Sequence, residues 1–310
     1  MYTLNRKFIF TSLMAFALAV AAAVPGLADS ERTWEKTFDV SPGGFLTVET
    51  DYGSIEVGTS GSDKVEVEVI VKADREKYLD DFEVEFEQNG NDVSIFGEHK
   101  KRRSFWSNFR KSLRVEFLVT VPRQFELDLH TVGGSISVGN LDGDVRSETS
   151  GGSLNFERIN GNVHGRTSGG SIQLESCTGE ADVKTSGGGI TIGEVRGEVS
   201  ARTSGGSITV EEVMGMINAS TSGGGVTAYI TGQPRDDCHL STSGGSIKVY
   251  LQKDISVFVD AHTSGGHVET DFPVTVRGKL KKSTLRGKIN DGGPELYLRT
   301  SGGSIYLREM

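Results

Sequence analysis

The hexapeptide Thr-Ser-Gly-Gly-Ser-Ile stands at Thr167–Ile172, Thr203–Ile208, Thr242–Ile247 and Thr300–Ile305. The shorter pattern Thr-x-Gly-Gly begins nine segments, at Thr131, Thr149, Thr167, Thr185, Thr203, Thr221, Thr242, Thr263 and Thr300. The first six are spaced by 18 residues, the next two intervals are 21 and the last is 37. A short fixed period restricts a chain to architectures in which each unit buries its face on its neighbour.

With each Thr counted as position 1, position 6 holds Ile136, Leu154, Ile172, Ile190, Ile208 and Val226, and position 8 holds Val138, Phe156, Leu174, Ile192 and Val210. Position 15 holds Val145, Val163, Ala181, Val199 and Ile217. Position 17 is small or apolar: Ser147, Gly165, Val183, Ala201, Ala219. Polar residues such as Arg146, Asp182, Glu148, Arg166 and Lys184 alternate with them. Alternation of this kind marks strands with one buried face. Each period therefore holds two short strands. One corner falls at the glycine pairs Gly151–Gly152, Gly169–Gly170, Gly187–Gly188, Gly205–Gly206 and Gly223–Gly224, and the other at Gly143, Gly161, Gly179, Gly197 and Gly215. Glycine reaches positive φ without a Cβ clash, which suits both corners.

The fold class expected is all-β: a flattened β-solenoid, β-helix-like, with 18–21-residue coils and an irregular N-terminal β-rich cap. Stacked at ~4.8 Å per coil, residues 131–310 make a rod on the order of 40 Å long. Residues 29–130 form the cap region, continuous with the solenoid. Phe45–Val57, Val65–Val71, Phe82–Phe86, Val93–Phe96 and Val115–Val121 alternate as strands, and Asp74–Asp81 suits a short helix with Asp74 as N-cap.

Residues 1–28 read as a secretory signal peptide. Arg6 and Lys7 precede the apolar run Phe8–Val24, and Gly26 and Ala28 are the small residues of a cleavage site after Ala28. Removing this leader, with two basic and no acidic residues, takes the net charge from −9 to −11. So acidic a chain argues against nucleic acid as a partner. Cys177 fills an apolar position, and Cys238 belongs to a coil three further on. Three coils span roughly 14 Å, so no disulfide between Cys177 and Cys238 is expected and both thiols act as small apolar residues.

The segment VTVPRQFELDLHTVGGSI (Val119–Ile136), the repeated hexapeptide and the closing LRGKINDGGPELYLRTSGGSI (Leu285–Ile305) resemble the bacterial "putative adhesin" β-strand-repeat family, a family of unknown function. The resemblance covers most of the mature chain. It implies an exported β-solenoid without known catalytic residues.

No chemical motif contradicts this. The serines lie in Ser-Gly-Gly rather than in a Gly-x-Ser-x-Gly elbow, and no Gly-Lys-Ser/Thr follows the glycine pairs. His99, His130, His164, His239, His262 and His267 lack metal-ligand spacing. No catalytic residue, metal or cofactor is assigned. Glu180 and Glu198 are one period apart and could pair, but a solvated face is the simpler reading. Gln233–Asp237 lengthens one corner. One stretch breaks the acidic trend: Lys100, Lys101, Arg102, Arg103, Phe105, Trp106, Phe109, Arg110 and Lys111 combine basic and aromatic residues. Such a segment suits an anionic membrane surface, or folds its aromatics over the open solenoid end.

The sequence thus points to a non-enzymatic envelope protein that presents a rigid surface for adhesion or scaffolding to an envelope polymer, a protein or an anionic membrane. The alternatives are a peripheral membrane module docking through Lys100–Lys111 and a polysaccharide-active β-helix enzyme. The periplasm is favoured over the cell surface or the medium, since no translocator domain or sorting signal is visible.

Overall fold

The computed structural model describes residues 30–100, 113–276 and 281–310. Among them, 13 strands form one sheet and 14 form a second, and the apolar faces of both meet in one continuous core. A typical coil runs through the 14-stranded sheet at Val163–Thr167, turns at the glycine pair, and returns through the 13-stranded sheet at Ile172–Cys177. The next coil repeats this at Ala181–Lys184 and Ile190–Val195, in parallel and in register: Val163 faces Ala181, and Ile172 faces Ile190. The alternation read from the sequence is the alternation of burial. Ile172, Ile190, Ile208, Val226 and Ile247 are almost wholly excluded from solvent. Each contributes roughly 2 kcal/mol of apolar burial.

The coil pattern begins before Thr131. Gly44–Thr50 pairs with Phe125–Thr131, and Ser54–Ser60 pairs with Ile136–Val138, both parallel. Thr50 faces Thr131 and heads the column of buried threonines.

Chain order and stacking order part at both ends. At the N-terminal end, Asp92–His99 and Leu113–Pro122 form a coil outside Gly44–Ser60, although they follow it in sequence. Beyond that coil the strands run antiparallel: Lys64–Ala73 on Leu113–Pro122, Ser30–Asp39 on Lys64–Ala73, and Phe82–Asn89 on Asp92–His99. At the other end the last coil of the chain is not the last of the stack. Glu295–Thr300 lies between Cys238–Thr242 and Val257–Thr263, and Ile305–Glu309 lies between Ile247–Leu251 and Val268–Thr270. The 37-residue interval before Thr300 is thus an excursion to the end of the stack and back. Leu296, Leu298, Ile305 and Leu307 demand neighbours on both sides, and insertion supplies them. Thr284–Ile289 and Val274–Val276 close that end antiparallel. Turning the outermost strands antiparallel interrupts the regular parallel register that a second rod could extend.

Two local expectations are corrected. Glu76–Asp81 is a 3₁₀ helix, and the extended residue before it is Arg75, which makes no side-chain cap, so Asp74 caps nothing. The glycine pairs serve close approach rather than positive φ, since none of them lies in the left-handed region. A Cβ on Gly152 would stand 2.0 Å from the carbonyl oxygen of Gly134, whereas one on Gly151 would meet nothing closer than 3.7 Å. The second glycine of each pair lets successive coils touch backbone to backbone. The Thr50 corner, Asp51-Tyr52-Gly53, keeps glycine only at the second place, and there both reasons act: Gly53 has φ +126°, and a Cβ on it would stand 2.9 Å from the Val115 carbonyl oxygen.

Candidate functional site

Every residue of the repeated hexapeptide can now be placed. Thr167 is buried, and its Oγ1 donates to the Gly152 carbonyl of the preceding coil at 2.7 Å. The same bond recurs at Thr149, Thr185, Thr203 and Thr221 at 2.7 Å. The second serine links coils, as when Ser153 N–H donates to Ser135 Oγ and Ser171 N–H to Ser153 Oγ. The glycines make the coil contact, and the Ile enters the core. The first serine differs: Ser150, Ser168, Ser186, Ser204, Ser222 and Ser243 are all exposed. Their hydroxyls bond to no other described residue.

These serines border the outer face of the 14-stranded sheet, where the charged side chains gather. Two outward rows cross it along the stack. One runs Asp128, Arg146, His164, Asp182 and Ser200, each opposite the next in register. The other runs His130, Glu148, Arg166, Lys184 and Arg202. His130 Nε2 lies 2.7 Å from Asp128 Oδ1, and Arg146 Nη2 donates to Glu148 Oε1 at 2.6 Å. Arg166 grips Asp182 through both terminal guanidinium nitrogens, Nη1 and Nη2, and His164 Nδ1 lies 3.4 Å from the same carboxylate.

Burial raises the Asp182 pKa, but the hydrogen bond and charge of Arg166, with His164 and Ser200 adding, outweigh it and leave Asp182 below the usual value. Burial, together with the positive charge of Arg166, holds His164 below the ordinary imidazole value despite Asp182. These charges neutralise one another on an open face, and an open trough runs along it beside Ser150, Ser168 and Ser186. Sequence reading found these residues polar and outward but missed their partnership. The signal was present, since Arg146, His164 and Asp182 all occupy position 16 of successive periods.

The other sequence-based candidates fall as follows. Lys100 donates its backbone N–H to Asp81 O, and its Nζ lies 3.7 Å from Glu83. Lys101, Arg102, Arg103, Phe105, Trp106, Phe109, Arg110 and Lys111 lie outside the described residues. Glu180 and Glu198 are neighbours on an exposed corner. The long corner Gln233–Asp237 is a brace: Gln233 exchanges two 2.9 Å hydrogen bonds with the Ser256 backbone, and Asp237 accepts from Glu295 N–H at 2.7 Å. Cys177 and Cys238 are buried free thiols on opposite sheets. Among the described residues no group of His, Cys, Asp or Glu could hold a metal ion, and no helix is long and apolar enough to cross a membrane.

Aromatic side chains stand outward on both sheets near the C-terminal end. Tyr229 and Tyr250 stack across adjacent coils of the 13-stranded sheet, with ring centroids 4.4 Å apart and planes within 7°. On the opposite sheet, Arg299 lies 3.7 Å over the Tyr297 ring and pairs with Asp260 at 2.9 Å.

A family model described as Toastrack DUF4097 matches residues 45–308, nearly the whole described chain. The chain belongs to the Toastrack family. Its match starts at the first coil in chain order, Gly44–Ser60, rather than at Thr131. Solved structures similar to this Toastrack chain include a "putative cell adhesion protein" from Clostridium sporogenes, at 13% identity and TM-score 0.24, covering 90% of this chain and 100% of that one. A "putative adhesin" from Bacteroides fragilis has 13% identity and TM-score 0.33, covering 92% and 100%. A "putative lipid binding protein" from Parabacteroides distasonis has 13% identity and TM-score 0.38, covering 90% and 96%. No curated protein matches the chain.

Proposed function

We propose that this Toastrack protein is an exported, non-enzymatic envelope protein that presents a rigid β-solenoid surface for adhesion or scaffolding. The observation that carries this reading is the in-register display of charged and hydroxyl side chains across consecutive coils of one sheet face. A frame in which every coil is bonded to the next by backbone ladders and threonine hydroxyls holds such rows at a fixed spacing of ~4.8 Å. Repeated shallow contacts on a stiff surface add without further ordering cost, which favours an extended partner over a small molecule. The charges pair with one another on an open face instead of converging on an enclosed pocket, which supports display over catalysis. Export is supported by the apolar run Phe8–Val24 behind Arg6 and Lys7.

The test is retention of envelope material. Protein immobilised through a C-terminal tag is incubated with separated envelope polymer and membrane fractions, and bound material is eluted with salt. Selective retention of one fraction is expected, and retention of none removes the proposal. Protease shaving of intact and lysed cells, followed through the same tag, then decides between surface and periplasm.

A further inference from the structure

The stacking order leaves a slot one coil wide near the C-terminal end of the rod. After Ile247–Leu251 the chain passes through the corner 252–256 and lays down Val257–Thr263 and Val268–Thr270 beyond a gap of one strand in each sheet. Residues later in the sequence fill the gap: Glu295–Thr300 in one sheet and Ile305–Glu309 in the other, each with parallel neighbours on both sides. Both walls of the slot therefore precede its occupant in the chain. They are also tied to each other without it. Gln233, in the corner that leads into the first wall, exchanges two 2.9 Å hydrogen bonds with the Ser256 backbone at the head of the second.

What the slot takes is set by its contacts. Leu296, Leu298, Ile305 and Leu307 are buried in it. Thr300 Oγ1 donates to Gly245 O at 2.7 Å and Thr263 Oγ1 donates to Gly303 O at 2.6 Å, so the threonine column runs unbroken through the inserted coil. A Cβ on Gly303 would stand 2.2 Å from Gly245 O, so the occupant needs glycine at its corner. A short tether, 290–294, carries this coil from Thr284–Ile289 past the end of Val257–Thr263. Its path is constrained: Asn290 and Gly292 lie at φ 52° and 77°, and a Cβ on Gly293 would stand 2.6 Å from Ser256 O. A short, constrained tether is slow to deliver its coil to its own slot, and the same coil on a second molecule is free of that constraint.

We infer that the slot also accepts this coil from a second copy of the chain, giving a dimer in which residues 295–309 of each molecule complete the stack of the other. The structure itself selects the occupant, because every contact just described is met by this segment. Reciprocal exchange keeps all of them and changes only the tether. Exchange adds no strand to the antiparallel ends of the rod, so those ends stay as they are. It joins two display faces in one particle, and it is independent of what those faces bind.

Protein purified after export is unfolded in urea, refolded with a reductant over a series of concentrations, and sized by light scattering. A short tether supplies its own coil at an effective concentration of about 1 mM or less, so the dimer should be negligible at ~1 µM and reach about a tenth or more of the chains at ~100 µM. Dilution should leave it intact, because release requires the inserted coil to unfold. Removing Gly292 and Gly293 should make the dimer predominant even at low concentration, since the shortened tether no longer reaches its own slot. A Gly-Ser-Gly-Ser insert after Gly292 should lower the dimer share. Lys248 and Tyr306 face each other across one wall of the slot. Lys248→Cys and Tyr306→Cys chains refolded together should therefore be joined by a short thiol cross-linker in the dimer and not in the monomer, while the buried Cys177 and Cys238 stay unlinked. A thermal melt confirms that each variant folds.

Wild-type protein that refolds as a monomer at every concentration overturns the inference, and this series decides alone if the shortened chain fails to fold. A dimer without the link between Lys248→Cys and Tyr306→Cys chains, or one that falls apart on dilution, overturns it as well.

Discussion

Replacing Thr185 by valine tests whether the threonine column holds the coils together through its hydroxyls or only through its shape. Thr185 is 1% exposed; its Oγ1 donates to Gly170 O at 2.7 Å and accepts from Gly188 N–H at 3.4 Å. Valine matches the outline and removes both bonds. The loss is about 1 kcal/mol for the shorter bond, with a further 1–3 kcal/mol, roughly, for leaving the buried Gly170 carbonyl unpaired. The extra buried methyl returns about 0.8 kcal/mol. The net expectation is a destabilisation of roughly 1–3 kcal/mol, read from urea titrations of unchanged slope. Thr185→Ser keeps the hydroxyl and loses only the methyl. Hydrogen exchange at the Gly188 amide should therefore accelerate in Thr185→Val and stay near wild type in Thr185→Ser. Thr203, with the same 2.7 Å bond to Gly188 O, should give the same cost on substitution by valine. A Thr185→Val protein as stable as the wild type would refute the reasoning, since shape alone would then account for the column.

Gly152→Ala should destabilise severely, because its Cβ would stand 2.0 Å from the Gly134 carbonyl, while Gly151→Ala should fold with near wild-type stability; thermal melts of the pair decide. His164, depressed by burial and Arg166, contributes stability that is full above the unfolded value of 6.5 and declines as pH falls from there toward its folded pKa, because the unfolded chain takes up the proton first. His164→Asn should flatten stability against pH in that window. Asp182, held low by Arg166 against its own burial, contributes stability that is lost only below 3.8, as pH falls through its folded pKa; carboxyl NMR titration should show that pKa rising in Arg166→Gln. Burial pushes the Cys177 thiol up to about 11 and raises Cys238 as well, so a thiol reagent should label neither in the native protein and both in urea.

Much of this architecture is visible in one line of sequence, because a parallel solenoid converts sequence period into spatial neighbourhood. The parity of Ile172 and Leu174 names the inward face, and the 18-residue interval names the partner of each residue one coil away. Even the rows of the candidate site follow: Arg166, Lys184 and Arg202 share position 18, and Ser168, Ser186 and Ser204 share position 2. What the period cannot express is which of these residues already has a partner. Arg166 is held by Asp182 while Lys184 and Arg202 have no ion-pair partner among the described residues, and that depends on side-chain reach across coils rather than on register.

The sequence by itself determined the all-β class, the coil, the buried columns and the free cysteines' separate addresses, all of them consequences of local alternation and a constant repeat. Only the tertiary structure decided the order of stacking. Nothing in the strand Glu295–Thr300 says that it enters between Cys238–Thr242 and Val257–Thr263. Parallel strands of similar pattern pair in almost any order, so the choice falls to the ends. There the chain returns inside its own end coil and turns its outermost strands antiparallel. The same applies to the glycine pairs, where the sequence shows two equivalent residues and only the packing of one coil on the next makes the second of Gly151–Gly152 indispensable and the first not.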